Sequence, residues 1–285
     1  MKIKKLMPLV IIFISCIALA PLLFSNTISD TLGESNTPPP PNDHEDREPA
    51  SIHNPKKVDN PGKPEKASDY GQLPENTEPE DLPVQEKPKN WDDDTLLEVL
   101  SFLKSPLPGA TVTTKDSQLP GAPRAYRNGT HEGLDFYEGY CSIPVKFGDP
   151  VFAAGPGTVC RIDHDFVELP TNEREILLET AWEMDETPAD ILDMLRGRQV
   201  WLTHSNGVTT RYAHLSGTAD NLAVGDSVET GDLIGYIGNS GTSEGAEGNT
   251  LNSHLHFEIW IGESYLGEGL SPAEIRDLWK NVIEK

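Results

Sequence analysis

The sequence predicts a mainly β domain, broken by a two-helix insertion and preceded by a membrane segment and a disordered linker. Three observations predict it: a basic start followed by an apolar run, a Pro-rich acidic stretch after that, and then short Val, Ile, Phe and Tyr runs punctuated by glycine. Each feature assigns its part of the chain a different solvent and a different conformational freedom.

Met1–Lys5 carries three lysines, and Leu6–Phe24 follows with 19 uncharged residues. A basic start stays in the cytoplasm, so residues 1–24 read as a signal peptide or an N-terminal membrane anchor that sends the rest across the membrane. Ala18-Leu19-Ala20 has the small-x-small form of a cleavage site, whereas the run approaches spanning length. Both readings place the protein outside the cytoplasm, in the cell envelope or secreted. An uncleaved segment would tether it to the membrane.

Residues 25–90 hold 12 of the 24 prolines and one aromatic residue, Tyr70. Such a stretch buries too little apolar surface to offset the entropy of ordering, so it predicts a disordered, acidic, extended linker. His44 and His53 fall in it and read as solvated linker residues. The chain has 23 basic and 46 acidic side chains, a net charge of −23, which supplies no basic footprint and argues against a nucleic-acid partner.

"DDDTLLEVLSFLKS" opens on acidic residues and sets Leu96, Leu97, Leu100 and Leu103 at helical spacing, predicting a leading helix over 91–105. From 106 to 285 the texture is β: "DPVFAAGPGTVCRID", "RQVWLTH", "VTTRYAHL" and "DLIGYIGNSGT" are strand and turn signals. The insertion occupies 170–197. It reads as two helices, the second with Thr187 as N-cap, Pro188 at the first helical position, Asp190 completing a capping box and Gly197 as the stop. In an exported domain Cys141 and Cys160 either pair or stand as two buried thiols.

The β domain contains His131, His164, His204, His214, His254 and His256. In "SHLHFEIWIG" residues i and i+2 share one face of a strand, so His254 and His256 point together while Leu255 and Phe257 point the other way. "THEGLDF" sets His131 and Asp135 four apart around a glycine. Zinc takes His nitrogen and carboxylate oxygen, and a catalytic site needs three protein ligands with one position open. His131, Asp135 and one of the 254/256 pair complete such a set. His204 in "THSNG" reads as structural, and His164 in "DHDF" as an exposed loop residue. The glycines of "GYIGNSGT" read as turn formers, since no lysine follows them as in a phosphate loop.

Taken in order, "HEGLDF", "GDPVFAAGPGTV", "HSNGVTTRYAHLSG", "VGDSVETGDLIGYIGNSGT" and "HLHFEI" resemble the lysostaphin-type, or LytM-like, zinc metallopeptidases that cut peptidoglycan peptides. The resemblance covers about 121–262. It implies an antiparallel β-sheet domain of the duplicated hybrid motif fold, with Zn2+ held by His131, Asp135 and His256. It also implies His214 and His254 as catalytic groups flanking the metal, and peptidoglycan peptides as the partner. The mechanism implied is metal-assisted hydrolysis, with His214, alone or together with His254, accepting the water proton and the pair then stabilising the oxyanion or protonating the leaving amine. Tyr126 in "RAYRNGTH" is a candidate substrate contact. Position 135 is Asp where H-E-x-x-H would need His, so the thermolysin-type motif is excluded.

The sequence departs from the family in two places: the insertion exceeds a hairpin connection, and "SEGAEGNTLNS" before the HxH is long and acidic. Both leave the metal set intact. A second class, a LytM-like domain that docks on and regulates other cell-wall enzymes, goes with loss of the ligand set, and here all five residues are present.

Overall fold

The computed structural model describes residues 93–285. The membrane segment (1–24) and the linker (25–90) expected above lie outside the described residues. Helix α1 (Asp93–Val99) leads to β1 (Pro123–Arg124), β2 (Gly129–Thr130), β3 (Leu134–Phe136), β4 (Pro150–Phe152) and β5 (Gly157–Ile162). The insertion forms α2 (Thr171–Trp182) and α3 (Ala189–Leu195). Then come β6 (Val200–Thr203), β7 (Val208–Ala213), β8 (Gly217–Thr218), β9 (Ser227–Val228), β10 (Leu233–Tyr236), α4 (Ser243–Ala246), β11 (Leu255–Ile261), β12 (Ser264–Tyr265) and α5 (Pro272–Ile283).

Every pairing among the described strands is antiparallel, as the sequence resemblance implies. The main sheet has seven strands, with β11 as its spine. One edge of β11 pairs with β7 from His256 to Ile261, and the other takes β3 at its start and β12 at its end. Beyond β7 the sheet continues through β6 and β5 to β9, while β4, β10 and β8 form a separate three-stranded sheet.

The two-residue period decides what each face of β11 does. Leu255, Phe257, Ile259 and Ile261 are buried in the main core with Val208 and Tyr212 of β7 and Val200 and Leu202 of β6. Each such side chain contributes roughly 1.5–3 kcal/mol when removed from water. The opposite face carries His256, Glu258 and Trp260, which register against Ala213, Arg211 and Thr209 of β7. The small Ala213 leaves room beside His256.

Helix α5 closes the core from outside the sequence resemblance. Ser271 and Glu274 form a reciprocal capping box, and Ile275, Leu278, Trp279, Val282 and Ile283 are buried. Trp279 meets Phe257 edge-on at 5.9 Å. The sequence-based expectations place no element after Gly262, so this helix is an addition to them.

Two helix expectations need correction. The leading helix stops at Val99 rather than 105, because the chain turns there; Leu103 donates its amide to Leu100 in a tighter turn and still buries its side chain. Thr187 does not cap α3. The cap position falls on Pro188 with no side-chain cap bond, and the Thr187 hydroxyl instead donates to the carbonyl of Arg127 and accepts from its guanidinium. Gly197 does end the helix region, at φ +66°. Ala181, Ile191 and Leu195 give the insertion a small core of its own. Cys141 and Cys160 are free thiols.

Candidate active site

The functional face of β11 gathers groups from three directions. Asp135 on β3 is the register partner of His256, so the strand ladder fixes their separation. His131 arrives from the turn just before β3. Gly133 lies between them, and a Cβ there would meet the His256 ring and the carbonyl of Phe257 at under 3 Å, which only glycine avoids.

The three candidate ligands converge tightly. His131 Nε2 lies 3.0 Å from Asp135 Oδ1 and 2.9 Å from His256 Nδ1, and His256 Nδ1 lies 2.8 Å from Asp135 Oδ1. All three residues are buried. Behind them, His131 Nδ1 contacts the carbonyl of Leu119 at 2.9 Å and His256 Nε2 contacts Glu258 Oε1 at 2.8 Å. Those carbonyl and carboxylate oxygens require N–H on the far nitrogens, so in the neutral tautomers both near nitrogens present lone pairs. Two nitrogen lone pairs and a carboxylate oxygen then face one another across about 3 Å. Such a set needs a cation, and its donors suit zinc.

Electrostatics agree. Burial and the nearby Arg124 push His131 down to about 4, which keeps it a neutral ligand. Burial also works against the charged form of His256, but the Asp135 and Glu258 carboxylates outweigh it and raise its pKa to about 9. Burial alone would raise Asp135, yet His131 and His256 hold it well below the usual carboxylate range.

The support behind the ligands is itself charged. Glu258, fully buried, accepts from Arg196 Nε at 2.6 Å as well as from His256, and Arg211 lies 3.4 Å from its other oxygen. Arg211 is sandwiched between Trp201 at 4.0 Å and Trp260 at 4.4 Å. Arg124 contacts Asp135 Oδ2 at 3.3 Å. Removing one partner of so buried an ion pair costs about 3–5 kcal/mol.

Two further imidazoles stand beside the triad. His214 follows β7 directly, in the left-handed region at φ 58°, and donates Nδ1–H to the carbonyl of Ser240 at 2.7 Å. In the neutral ring this puts the lone pair on Nε2, and His214 lines the same pocket as His131, Asp135 and His256. Backbone held in so sparse a conformation is a feature of functional positions. His254 precedes β11, bridged to Gly238, and its Nδ1 contacts the carbonyl of Asn252 at 2.9 Å. Tyr137 stacks on it at 4.0 Å with its hydroxyl 3.3 Å from Nε2. The His214 ring lies 4.8 Å from that of His254 and 5.6 Å from that of His256.

All five sequence-predicted histidine and aspartate residues are therefore brought together, and Tyr126 lines the same pocket. His204 is buried between the carbonyl of Pro156 and the Thr210 hydroxyl, and His164 is exposed on a loop, as expected of both. Sequence reasoning missed Glu258, Arg124, Arg196 and Tyr137. Only Glu258 had a signal: positions 254, 256 and 258 share one strand face.

Residues 187–267 match the family model described as Peptidase family M23. Over those residues the chain is similar to the peptidase M23 family. The M23 match holds His214, His254 and His256, while His131 and Asp135 lie upstream, across the helical insertion. An "Uncharacterized metalloprotease" of Buchnera aphidicola is 25% identical over 161 residues, covering 56% of this chain and 31% of that protein. The "DD-carboxypeptidase/endopeptidase Mpg" of Neisseria meningitidis is 38% identical over 79 residues, 28% of this chain and 15% of its own length. The chain thus spans less than a third of the curated relatives it matches. Among solved structures, the catalytic domain of the M23 protein EnpA from Enterococcus faecalis is 19% identical, covering 61% of this chain and 96% of its own, at a TM-score of 0.35.

Proposed function

We propose that the protein is a zinc-dependent endopeptidase that hydrolyses peptide bonds of peptidoglycan, in a stem peptide or a cross-bridge, outside the cytoplasm. The observation that carries this reading is the convergence of three buried lone-pair donors, His131, Asp135 and His256, with His214 and His254 beside them in one pocket. A zinc ion held by the three would make its water acidic enough to ionise near neutral pH and polarise the scissile carbonyl. The chain's own residues supply the rest.

His214 Nε2, its tautomer fixed by Ser240, accepts the proton of the attacking water. The pair His214 and His254 then stabilises the charge that develops on the carbonyl oxygen or protonates the leaving amine, the proton that His214 took from the water being the one delivered, with His254 held beside His214 by Asn252 and Tyr137. Glu258 and Arg124 hold the ligand side chains in place from behind. Tyr126, on the pocket wall, contacts the substrate. The N-terminal 24 residues, as signal or anchor, and the linker to residue 90 would deliver the domain to the cell wall.

The test uses the full chain purified with zinc, beside His256→Ala. Zinc near one per chain, with soluble peptides released from purified peptidoglycan and lost in the variant, supports the reading. Zinc without cleavage of any wall type favours a regulatory docking domain, and no zinc removes the metal site.

A further inference from the structure

The pocket beside the metal triad holds more positive charge than its own carboxylates neutralise. Its wall carries four arginines, Arg124, Arg127, Arg174 and Arg196, against three carboxylates, Glu132, Asp135 and Glu258. Arg196 takes both glutamates, and Arg124 takes Asp135. Among the described residues no carboxylate lies within ion-pair reach of Arg127 or Arg174.

Both guanidinium groups are oriented by neutral oxygens. Arg127, only 5% exposed, donates to the Thr187 hydroxyl at 2.9 Å and the carbonyl of Thr130 at 2.7 Å, and lies against Tyr126. Arg174, on α2, donates Nε–H to the carbonyl of Gly241 at 2.9 Å. The nearby acid, Glu168, spends both oxygens on the amide of Gly241 at 2.9 and 3.1 Å. Neutral acceptors position a cation but do not cancel its charge, and for Arg127, which is buried, lacking an ion-pair partner is costly, whereas Arg174 is half-buried at the pocket wall. In a chain of net charge −23, two such arginines in a pocket are not general surface basicity. Each guanidinium has five N–H donors in a fork that fits a carboxylate, so donors remain for a ligand.

We propose that Arg127 and Arg174 form a carboxylate-binding subsite, so that the peptide accepted here carries a carboxylate close to the scissile bond. This rests on the peptidase reading above. Arg174 belongs to the helical insertion, and Thr187, which holds Arg127, does too. The insertion thereby acts as the specificity wall of the pocket. The carboxylate has two possible sources, the C-terminus of the substrate or an acidic residue within it.

The experiment uses the zinc-loaded chain and two matched pairs of N-blocked tetrapeptides: a C-terminal acid against its amide, and an amidated peptide with internal glutamate against glutamine. kcat/KM is measured for each, and calorimetric binding of each is measured on zinc-loaded His214→Ala. The acid member of one pair is expected to be favoured by about tenfold or more, the scale of a charge-assisted hydrogen bond, and that pair identifies the source. In Arg174→Gln and Arg127→Gln the preference falls to within about twofold of parity, as loss of that bond requires. Arg127→Lys keeps the charge without the fork and covers the case in which the glutamine variant misfolds. Equal cleavage within both pairs overturns the subsite and leaves the peptidase reading standing. An acid preference that survives both glutamine variants belongs to the metal and also overturns it. If no peptide is cut, the peptidase reading fails, and the calorimetric preference for acid over amide then decides the subsite either way.

Discussion

Asp135 and His256 are register partners on two antiparallel strands, and their ligand atoms lie 2.8 Å apart on the face opposite the core. The ladder that pairs β3 with β11 therefore also sets the spacing of these two proposed zinc ligands. From behind, Glu258 sits two residues along the same face and takes the far nitrogen of His256. Replacing Glu258 with Gln keeps the volume but removes the charge that makes His256 a basic ligand. Zinc affinity is expected to fall by about 10- to 100-fold, the usual effect of losing the carboxylate behind a metal-bound histidine. Competition against a chromophoric chelator measures it. The same change leaves Arg196 with only Glu132 as a carboxylate partner, so a drop in unfolding free energy of about 3–5 kcal/mol should accompany it.

The five site residues divide into two groups that one pair of variants separates. His131 is one of the three converging donors, whereas His214 is held off them by its bond to Ser240. His131→Ala is expected to lose zinc and activity together. His214→Ala should retain zinc near one per chain while kcat falls by about 10²- to 10⁴-fold, the range for a general base. Metal analysis on the same preparations used for kinetics makes the comparison. Zinc loss in His214→Ala would place that residue among the ligands instead.

The legible part of the site was the part governed by local period. His254 and His256 share a strand face by the rule of two, and His131 and Asp135 bracket a glycine that the close approach of His256 demands. Glu258 obeyed the same period, but an acid in an apolar strand does not announce a buried partner, and that partner, Arg196, is 62 residues away. Arg124 and Tyr137 come from segments with no periodicity, so only tertiary contact reveals them. In the fold, Thr187 had every local mark of a helix cap. The guanidinium of Arg127 competed for its hydroxyl and won, a contact spanning 60 residues that no local signal contains. Helix α5 carries clear helix signals in Ser271 and Glu274, yet nothing in them tells that Trp279 docks on Phe257.

Acid stability offers a test at a distance from the metal. Asp193 on α3 is held by Arg161 of β5 through two bonds, at 2.5 and 3.0 Å. Burial raises the Asp193 carboxyl, but the hydrogen bonds from Arg161 outweigh it and keep it below its usual value. A lowered folded pKa means that the stabilisation is fully present above the unfolded value, about 3.9, and is lost as pH falls through the folded one. Asp193→Asn should therefore lower Tm at pH 6, with the difference from wild type shrinking as the pH drops below about 4. A constant difference across that range would show that packing, not charge, is what Asp193 contributes.

Gly197 couples the insertion to His214, the proposed general base. It sits at φ +66°, and a Cβ there would collide with the backbone carbonyl of Ser240. That same carbonyl accepts the Nδ1–H of His214 and so fixes which nitrogen faces the pocket. Gly197→Ala thus acts twice. Strain from the left-handed backbone and the overpacked contact should lower stability by about 1–3 kcal/mol. Displacement of the Ser240 carbonyl should free the His214 ring, lowering kcat while zinc stays bound, since no metal ligand is touched. The decisive readout is the imidazole NMR signal of His214 in the zinc-loaded protein: one Nδ1-protonated tautomer in the wild type, and a mixture in Gly197→Ala. A variant that loses stability but keeps both the tautomer and kcat would mean that Ser240 yields without disturbing His214.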